Sequence, residues 1–173
     1  MDAPEIITER LILRAMRLED FDAFAAIWAD EDVARQVGVP VRPRGQSWGA
    51  FLTNAGHWRL LGYGQWAVTE RAKGAYLGQT GMFRAHRGFG AAFDDWPEAG
   101  WVLGRAAQGR GIGTEAVRAA HDWFDGVIGG VTVAMIDRGN AASLRLAAGM
   151  GYVETGAAEA VPEVVLLRRG GQV

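Results

Sequence analysis

The chain has 173 residues, a net charge of −2, no cysteine, and apolar side chains at 49% of positions. That length suits one domain, residues 1–173, around a single core. The composition rules out disulfides, thiolate nucleophiles and cysteine-type zinc sites; the charge gives no electrostatic basis for a nucleic-acid partner, and no run approaches the ~18 apolar residues of a membrane span.

In chain order, Met1-Asp2-Ala3-Pro4-Glu5 is acidic and lacks the basic and apolar parts of a secretory signal, so a cytoplasmic protein is expected. Arg10–Arg14 alternates and reads as a first strand. Phe21, Phe24, Ala25 and Trp28 recur at helical spacing, and Gly38 and Pro40 break that region. Trp48, Phe51, Leu52, Ala55 and Trp58 form the stripe of a second helix, ended by Gly62 and Gly64. Gln65–Thr69 and Tyr76–Phe83 read as strands joined by an Arg71-Ala72-Lys73-Gly74 turn. Residues 84–97 read as a loop and Glu98–Leu103 as the next strand.

Then comes Gln108-Gly109-Arg110-Gly111-Ile112-Gly113-Thr114-Glu115-Ala116. A helix follows, with Ala116, Val117, Ala120, Trp123 and Phe124 on its inner face. Val131–Ile136 reads as a buried strand, Asn140–Met150 as a helix, and Gly151-Tyr152-Val153 and Val164–Leu167 as starting and forming the last strands. Arg168–Val173 reads as a frayed end. The order implies an α/β (α+β) fold: a mixed sheet with helices on its faces.

The glycine stretch is the most informative chemistry. Glycines let several backbone N–H groups converge on one point, and the following helix adds its unpaired N–H groups and positive dipole end. A phosphate or pyrophosphate is the expected ligand. A P-loop would need Gly-Lys-Ser/Thr, whereas Ile112-Gly113-Thr114 follows Gly111. A Rossmann fingerprint fails too, because Thr114 holds the third glycine position and the loop lies late in the chain. The histidines His57, His86 and His121 show no ligand spacing, so no metal is expected. Ser47 and Ser143 are the only serines, and neither sits in a Gly-x-Ser-x-Gly elbow.

Gln108-x-x-Gly111-x-Gly113 resembles the acetyl-CoA pyrophosphate loop of the GCN5-related N-acetyltransferase (GNAT) family. Thr114-Glu115-Ala116, Asn140-Ala141-Ala142-Ser143 with Leu146, and Gly149-Met150-Gly151-Tyr152 resemble that family in the right order. Thr8-Glu9-Arg10-Leu11-Ile12-Leu13-Arg14 and Asp94-Asp95-Trp96-Pro97-Glu98-Ala99-Gly100-Trp101-Val102-Leu103 resemble its branch of ribosomal-protein N-terminal acetyltransferases. Two positions depart from the usual pattern: Gln108 replaces an arginine, which the family also accepts, and Ala99 replaces a larger aliphatic residue.

The resemblance implies a mostly antiparallel sheet whose central strands splay at the acyl-CoA site. It implies acetyl-CoA as co-substrate, an amine acceptor, no metal, no membrane or nucleic-acid partner, and a homodimer as one possible assembly. Gly109, Arg110, Gly111, Ile112, Gly113 and Thr114 would offer backbone N–H groups to the pyrophosphate, with Gln108 opening the motif. Trp101, Val102 and Leu103 would pair with the pantetheine arm. Asn140 would orient its end or cap the helix. Arg145 and Arg138 are candidates for the CoA 3′-phosphate.

Ser143, one turn after Asn140, is the first candidate for the acid that protonates the leaving thiolate, and Tyr152 the second. Glu98 is the candidate base, with Asp94 and Asp95 as attractors of a cationic substrate. Phe89 and Phe93 are the preferred substrate contacts among Trp28, Trp48, Trp58 and Trp96. The acceptor stays open between a protein N-terminus and a small amine such as a polyamine, aminoglycoside or amino-acid derivative. A non-catalytic acyl-CoA-binding regulatory module is the alternative from another class.

Overall fold

The computed structural model describes residues 2–158 and 161–171. Among these residues, eight strands form one sheet: β1 (Ile6–Ile7), β2 (Leu11–Arg14), β3 (Gln65–Glu70), β4 (Tyr76–Phe83), β5 (Glu98–Leu103), β6 (Thr132–Asp137), β7 (Val153–Ala158) and β8 (Val161–Arg169), in the order β1-β2-β3-β4-β5-β6-β8-β7. Every neighbouring pair is antiparallel except β5 and β6. Those two share a single registered pair, Glu98 with Val133, and then separate. The expected splay therefore lies at the centre of the sheet. It leaves Gly100–Leu103 without a strand partner on the β6 side.

Six α-helices among the described residues cover the sheet: α1 (Phe21–Trp28), α2 (Glu31–Val37), α3 (Arg44–Leu61), α4 (Ala91–Asp94), α5 (Ile112–Val127) and α6 (Ala141–Gly149). Alternation along β5 assigns its residues to opposite layers. Val102 joins Phe24, Trp28, Val33 and Phe51 of α1, α2 and α3. Ala99 and Trp101 join Phe124, Ala147 and Tyr152 beside α5 and α6. Fully burying a Phe such as Phe24 or Phe124 contributes roughly 1.5–3 kcal/mol.

Several expectations needed correction. The α3 stripe is rotated: Ser47, Phe51 and Trp58 are buried, while Trp48 and Leu52 are 39% and 50% exposed. The partners decide this, since Phe51 meets Phe24 at 5.3 Å and Trp58 meets Trp66 at 4.5 Å. Helix α2, with Asp30 accepting from the N–H groups of Asp32 and Val33 as its cap, stands apart from α1. Arg168 and Arg169 are not frayed but end β8. The Arg169 guanidinium pairs with Asp125, and its Nε donates to the Met150 carbonyl at 2.7 Å. Gln172 and Val173, the last two residues of that expected frayed end, lie outside the described residues. No helix among the described residues is long and apolar enough to cross a membrane.

Candidate active site

A short 3-10 turn, Arg105–Ala107, precedes the glycine stretch, which runs as a loop into α5 at Gly111. Gly111 sits at φ +75°, a left-handed conformation that strains any β-branched residue. The first bond of α5 runs from the Glu115 N–H to the Gly111 carbonyl at 3.1 Å. Residues 108–111 form a tight turn, and among the described residues no well-aligned hydrogen bond runs from a backbone N–H of residues 109–114 to a protein acceptor. These N–H groups are the orphan donors of a helix start plus those of its lead-in loop. A Cβ on Gly113 would lie 3.2 Å from Leu103 and 3.6 Å from Leu146, so the helix start approaches β5 closely.

The N-terminal segment braces this loop. The Arg10 guanidinium donates to Glu115 at 2.6 Å and to the Arg110 carbonyl at 2.8 Å, and the Thr8 hydroxyl donates to Glu115 at 2.6 Å. Burial pushes the Glu115 carboxyl up, but these hydrogen bonds and the Arg10 charge hold it below its ordinary value. Thr8 and Arg10 thus have a physical role. They hold the first turn of α5 and the loop in one geometry.

A cleft of about 530 Å³ runs from this loop along β5 to α6. Gln108, Gly109, Gly111, Gly113 and Thr114 line one end, and Trp101, Val102 and Leu103 the wall. Asn140, Ser143 and Arg145 line the α6 side. Two expected positions stand apart. The Arg110 side chain turns back to the Ala106 carbonyl at 3.0 Å, and Ile112 is a core residue; neither lines the cleft. Arg138 does not line the cleft and pairs with Glu154 at 3.4 Å. Arg118 does line it; one turn after Thr114 on α5, it was findable from helical spacing alone.

The Gln108 amide donates to the Leu103 carbonyl at 3.3 Å and to Gln36 of α2 at 3.1 Å. Asn140 caps α6 by accepting from the Ser143 N–H at 3.0 Å, and its amide donates to the Gln36 carbonyl at 2.6 Å. Helix α2 therefore closes one side of the cleft, a wall that no local pattern announces.

A second cavity, of about 250 Å³, lies between the splayed strands and is walled by α1, α3 and the α2–α3 segment. Both spaces are lined by Val37, Trp101, Val102, Asn140 and Ser143, so they meet there. At that junction the Trp101 indole N–H donates to the Ser143 hydroxyl at 3.2 Å. The hydroxyl accepts that bond, which leaves its own proton to give.

Glu98 lies deep in the inner cavity, 4% exposed. Arg87 grips it with two bonds of 2.8 and 2.9 Å. Burial pushes the Glu98 carboxyl above its ordinary value, and the Arg87 guanidinium pulls it partly back. Gln65, Gln79 and Asn54 form a polar chain on the same walls: the Gln79 amide donates to Gln65, and the Asn54 amide donates to Gln79 at 3.3 Å.

The remaining candidates stand elsewhere. Tyr152 is 5% exposed and lines neither space. The His121 Nδ1 faces the Val117 carbonyl at 2.8 Å, which assigns the proton to Nδ1. Nε2 then accepts from the Tyr152 hydroxyl at 3.0 Å, and Thr132 completes the network at 2.8 Å. Tyr152 is thus a packed core residue whose proton is spent internally. Phe89 and Phe93 meet edge to face at 5.5 Å and line neither space. Asp94 accepts from the N–H groups of Arg87 and Gly90 at 2.7 and 2.9 Å, so it shapes its own loop, and Asp95 is exposed. Among the named tryptophans, Trp28 lines the inner cavity. Among the described residues no cluster of His, Cys, Asp and Glu could hold a metal.

Residues 10–153 match the family described as the acetyltransferase (GNAT) domain. YkkB of Bacillus subtilis, itself uncharacterised, is 31% identical over 160 residues, covering 87% of each chain. The structure of a GNAT-family protein from Bordetella pertussis is 30% identical, with a TM-score of 0.84, over 96% of this chain and 99% of that one. The ribosomal-protein-S5-alanine acetyltransferase of Vibrio fischeri is 17% identical and shares the fold, with a TM-score of 0.75 over 96% of each chain. The chain belongs to the GNAT family of N-acetyltransferases, enzymes that use acetyl-CoA.

Proposed function

We propose that the whole chain is one N-acetyltransferase domain that moves an acetyl group from acetyl-CoA to a primary amine within a ternary complex. The acceptor is a protein N-terminus or a small-molecule amine. The observation that carries this reading is the meeting of two spaces at Ser143, Asn140 and Trp101. A donor held in the cleft and an amine held in the inner cavity come together there, and the reaction becomes effectively unimolecular.

The thioester supplies an already activated acyl carbon. The chain does the rest. The N–H groups of residues 109–114 hold the pyrophosphate, and Arg145 and Arg118 are the cations available to the nucleotide phosphate. The open edge of Trp101–Leu103 aligns the pantetheine arm, and the free N–H of Asn140 orients its end. Glu98, made more basic by burial, takes the proton of the incoming ammonium through solvent. Ser143 gives its proton to the departing sulfur, and the Trp101 indole fixes the hydroxyl in that pose. No cysteine exists to carry the acetyl group, so the amine attacks directly.

Calorimetry with CoA and a thiol-release assay across an amine panel test this reading. Tight CoA binding, intersecting lines in two-substrate kinetics and an N-acetylated product are expected. CoA binding with no turnover on any amine would favour a regulatory acyl-CoA module instead. Parallel lines with a competent acetyl-enzyme would refute direct attack.

A further inference from the structure

The inner cavity holds one arginine that the acetyl-transfer chemistry does not use. Arg42 lies between α2 and α3, its backbone N–H bonded to the Trp28 carbonyl at 3.0 Å. Its guanidinium carbon sits 3.7 Å from the centre of the Trp28 ring. Stacking covers one face of the guanidinium but leaves its N–H edges open. The other charged groups of the cavity are engaged: Arg87 with Glu98, and Asp137 with the Gly139 N–H at 2.7 Å. Among the described residues, no carboxylate pairs with Arg42 and no acceptor takes a hydrogen bond from its side chain. Burial alone shifts its pKa, and downward, with no acidic neighbour pulling it back. A sheltered, unneutralised cation in a ligand cavity selects an anion.

Size narrows the ligand further. About 250 Å³ is below the ~300–1,000 Å³ of pockets for drug-sized ligands. Apolar side chains between the polar groups, among them Val39, Phe83 and Met135, suit a short carbon skeleton. Resting on the reading of this cavity as the acceptor site, we infer that the acceptor is an amine of amino-acid size that also carries a carboxylate, and that Arg42 holds that carboxylate. The planar fork of the guanidinium matches the two carboxylate oxygens. The amine is then presented to the junction at Ser143. Its nitrogen forms the new amide bond and the thioester C–S bond breaks; the ammonium proton passes to Glu98 through solvent, the thiolate leaves as the thiol with the Ser143 proton, and the second proton lost from nitrogen returns to the Ser143 oxygen through solvent. The carboxylate is unchanged.

The test is thiol release with free amino acids, their primary amides, a polyamine and amino-terminal peptides, using the wild-type enzyme and the Arg42→Gln and Arg42→Lys variants. Free amino acids should exceed their amides in kcat/KM by about tenfold to a hundredfold, the range of a charge-assisted hydrogen-bonded contact. Arg42→Gln should erase that preference by raising KM for the acids alone, with kcat and the melting temperature little changed. Arg42→Lys, which keeps the charge but loses the fork, should fall between. Amides, polyamines or peptides turned over as well as the acids would overturn the inference, as would an equal loss on acids and amides in Arg42→Gln. If no amine is acetylated, the acetyl-transfer reading fails separately. Calorimetry of N-acetyl amino acids against their N-acetyl amides then decides: weaker acid binding in Arg42→Gln supports carboxylate recognition, and unchanged binding removes it.

Discussion

Where the loop cleft offers the unpaired N–H groups of residues 109–114, the inner cavity offers side chains already paired with one another, Arg87 with Glu98 and Gln65 with Gln79. The cleft is a backbone device. Its donors belong to consecutive residues, and almost any side chain there would serve if φ permitted. The cavity is a side-chain device assembled from α1, α3, β3, β4, β5 and β6. In the proposed reading, one recognises a ligand part common to every acyl-CoA, and the other discriminates among acceptors. Backbone recognition is general and side-chain recognition is selective, and the proposed function divides the work between the two regions accordingly.

That division is sharpest at the junction. Ser143→Ala should lower kcat by the ~10²–10⁴-fold typical of a lost general acid, with CoA affinity almost unchanged. Steady-state kinetics beside calorimetry would show it. A retained kcat would mean that the thiolate leaves without help from this hydroxyl.

Next in size, Gly111→Val should weaken CoA binding by about tenfold to a hundredfold, because it strains a left-handed residue by roughly 1–3 kcal/mol. Gly113→Asp should do at least as much, by crowding Leu103 and placing a carboxylate among the phosphate donors. Calorimetry with CoA checks both. Undiminished affinity in the two variants would dissolve the contrast between the regions, since the cleft would then not depend on its backbone.

Arg87→Gln probes the opposite region. It leaves Glu98 buried without its cation. Burial already raises the Glu98 pKa in the folded protein, so this group favours folding fully below its unfolded pKa, and that contribution is lost as pH rises through the folded value. Removing Arg87 raises the folded value further. The melting temperature should therefore fall more at about pH 8 than at about pH 5. Arg87 is 33% exposed on its side chain, so a loss of about 1–3 kcal/mol is expected near neutrality rather than the ~3–5 of a fully buried pair. A deficit independent of pH would mean that Glu98 is not the group responsible.

The smallest effect on chemistry belongs to Tyr152→Phe. It strands His121 and Thr132, so stability should drop by about 1–3 kcal/mol while kcat stays within about twofold. Denaturant melts and initial rates would separate the two. A large fall in kcat at unchanged stability would restore Tyr152 as a chemical participant.

Local physics made the cleft legible in the sequence. Glycine spacing, the following apolar stripe and the asparagine cap all lie within short stretches, and β4 and β5 begin and end where alternation and turn residues place them. The α3 stripe failed because periodicity identifies a helix but not its rotation. Trp48 and Phe51 are equally apolar in sequence, and only Phe24 and Trp66 across the interface choose which faces inward. Phe89 and Phe93 failed for a related reason: an aromatic pair in a glycine-rich loop satisfies itself as readily as it meets a ligand.

By itself the sequence determined what backbone geometry and composition can specify: the glycine loop with the helix behind it, the order of the main strands and helices, and, through the lack of cysteine, the exclusion of an acetyl-cysteine route. Such features depend on neighbours a few residues apart, where propensity and turn chemistry act directly. Tertiary structure alone decided which side chains share a space. Gln36 reaches Asn140 across 104 residues and Trp101 reaches Ser143 across 42, Arg42 is left without an anion, and Tyr152 turns inward to His121. Contacts at such separations are set by the packing of whole elements and by the splay of β5 from β6, and no window of local sequence contains them.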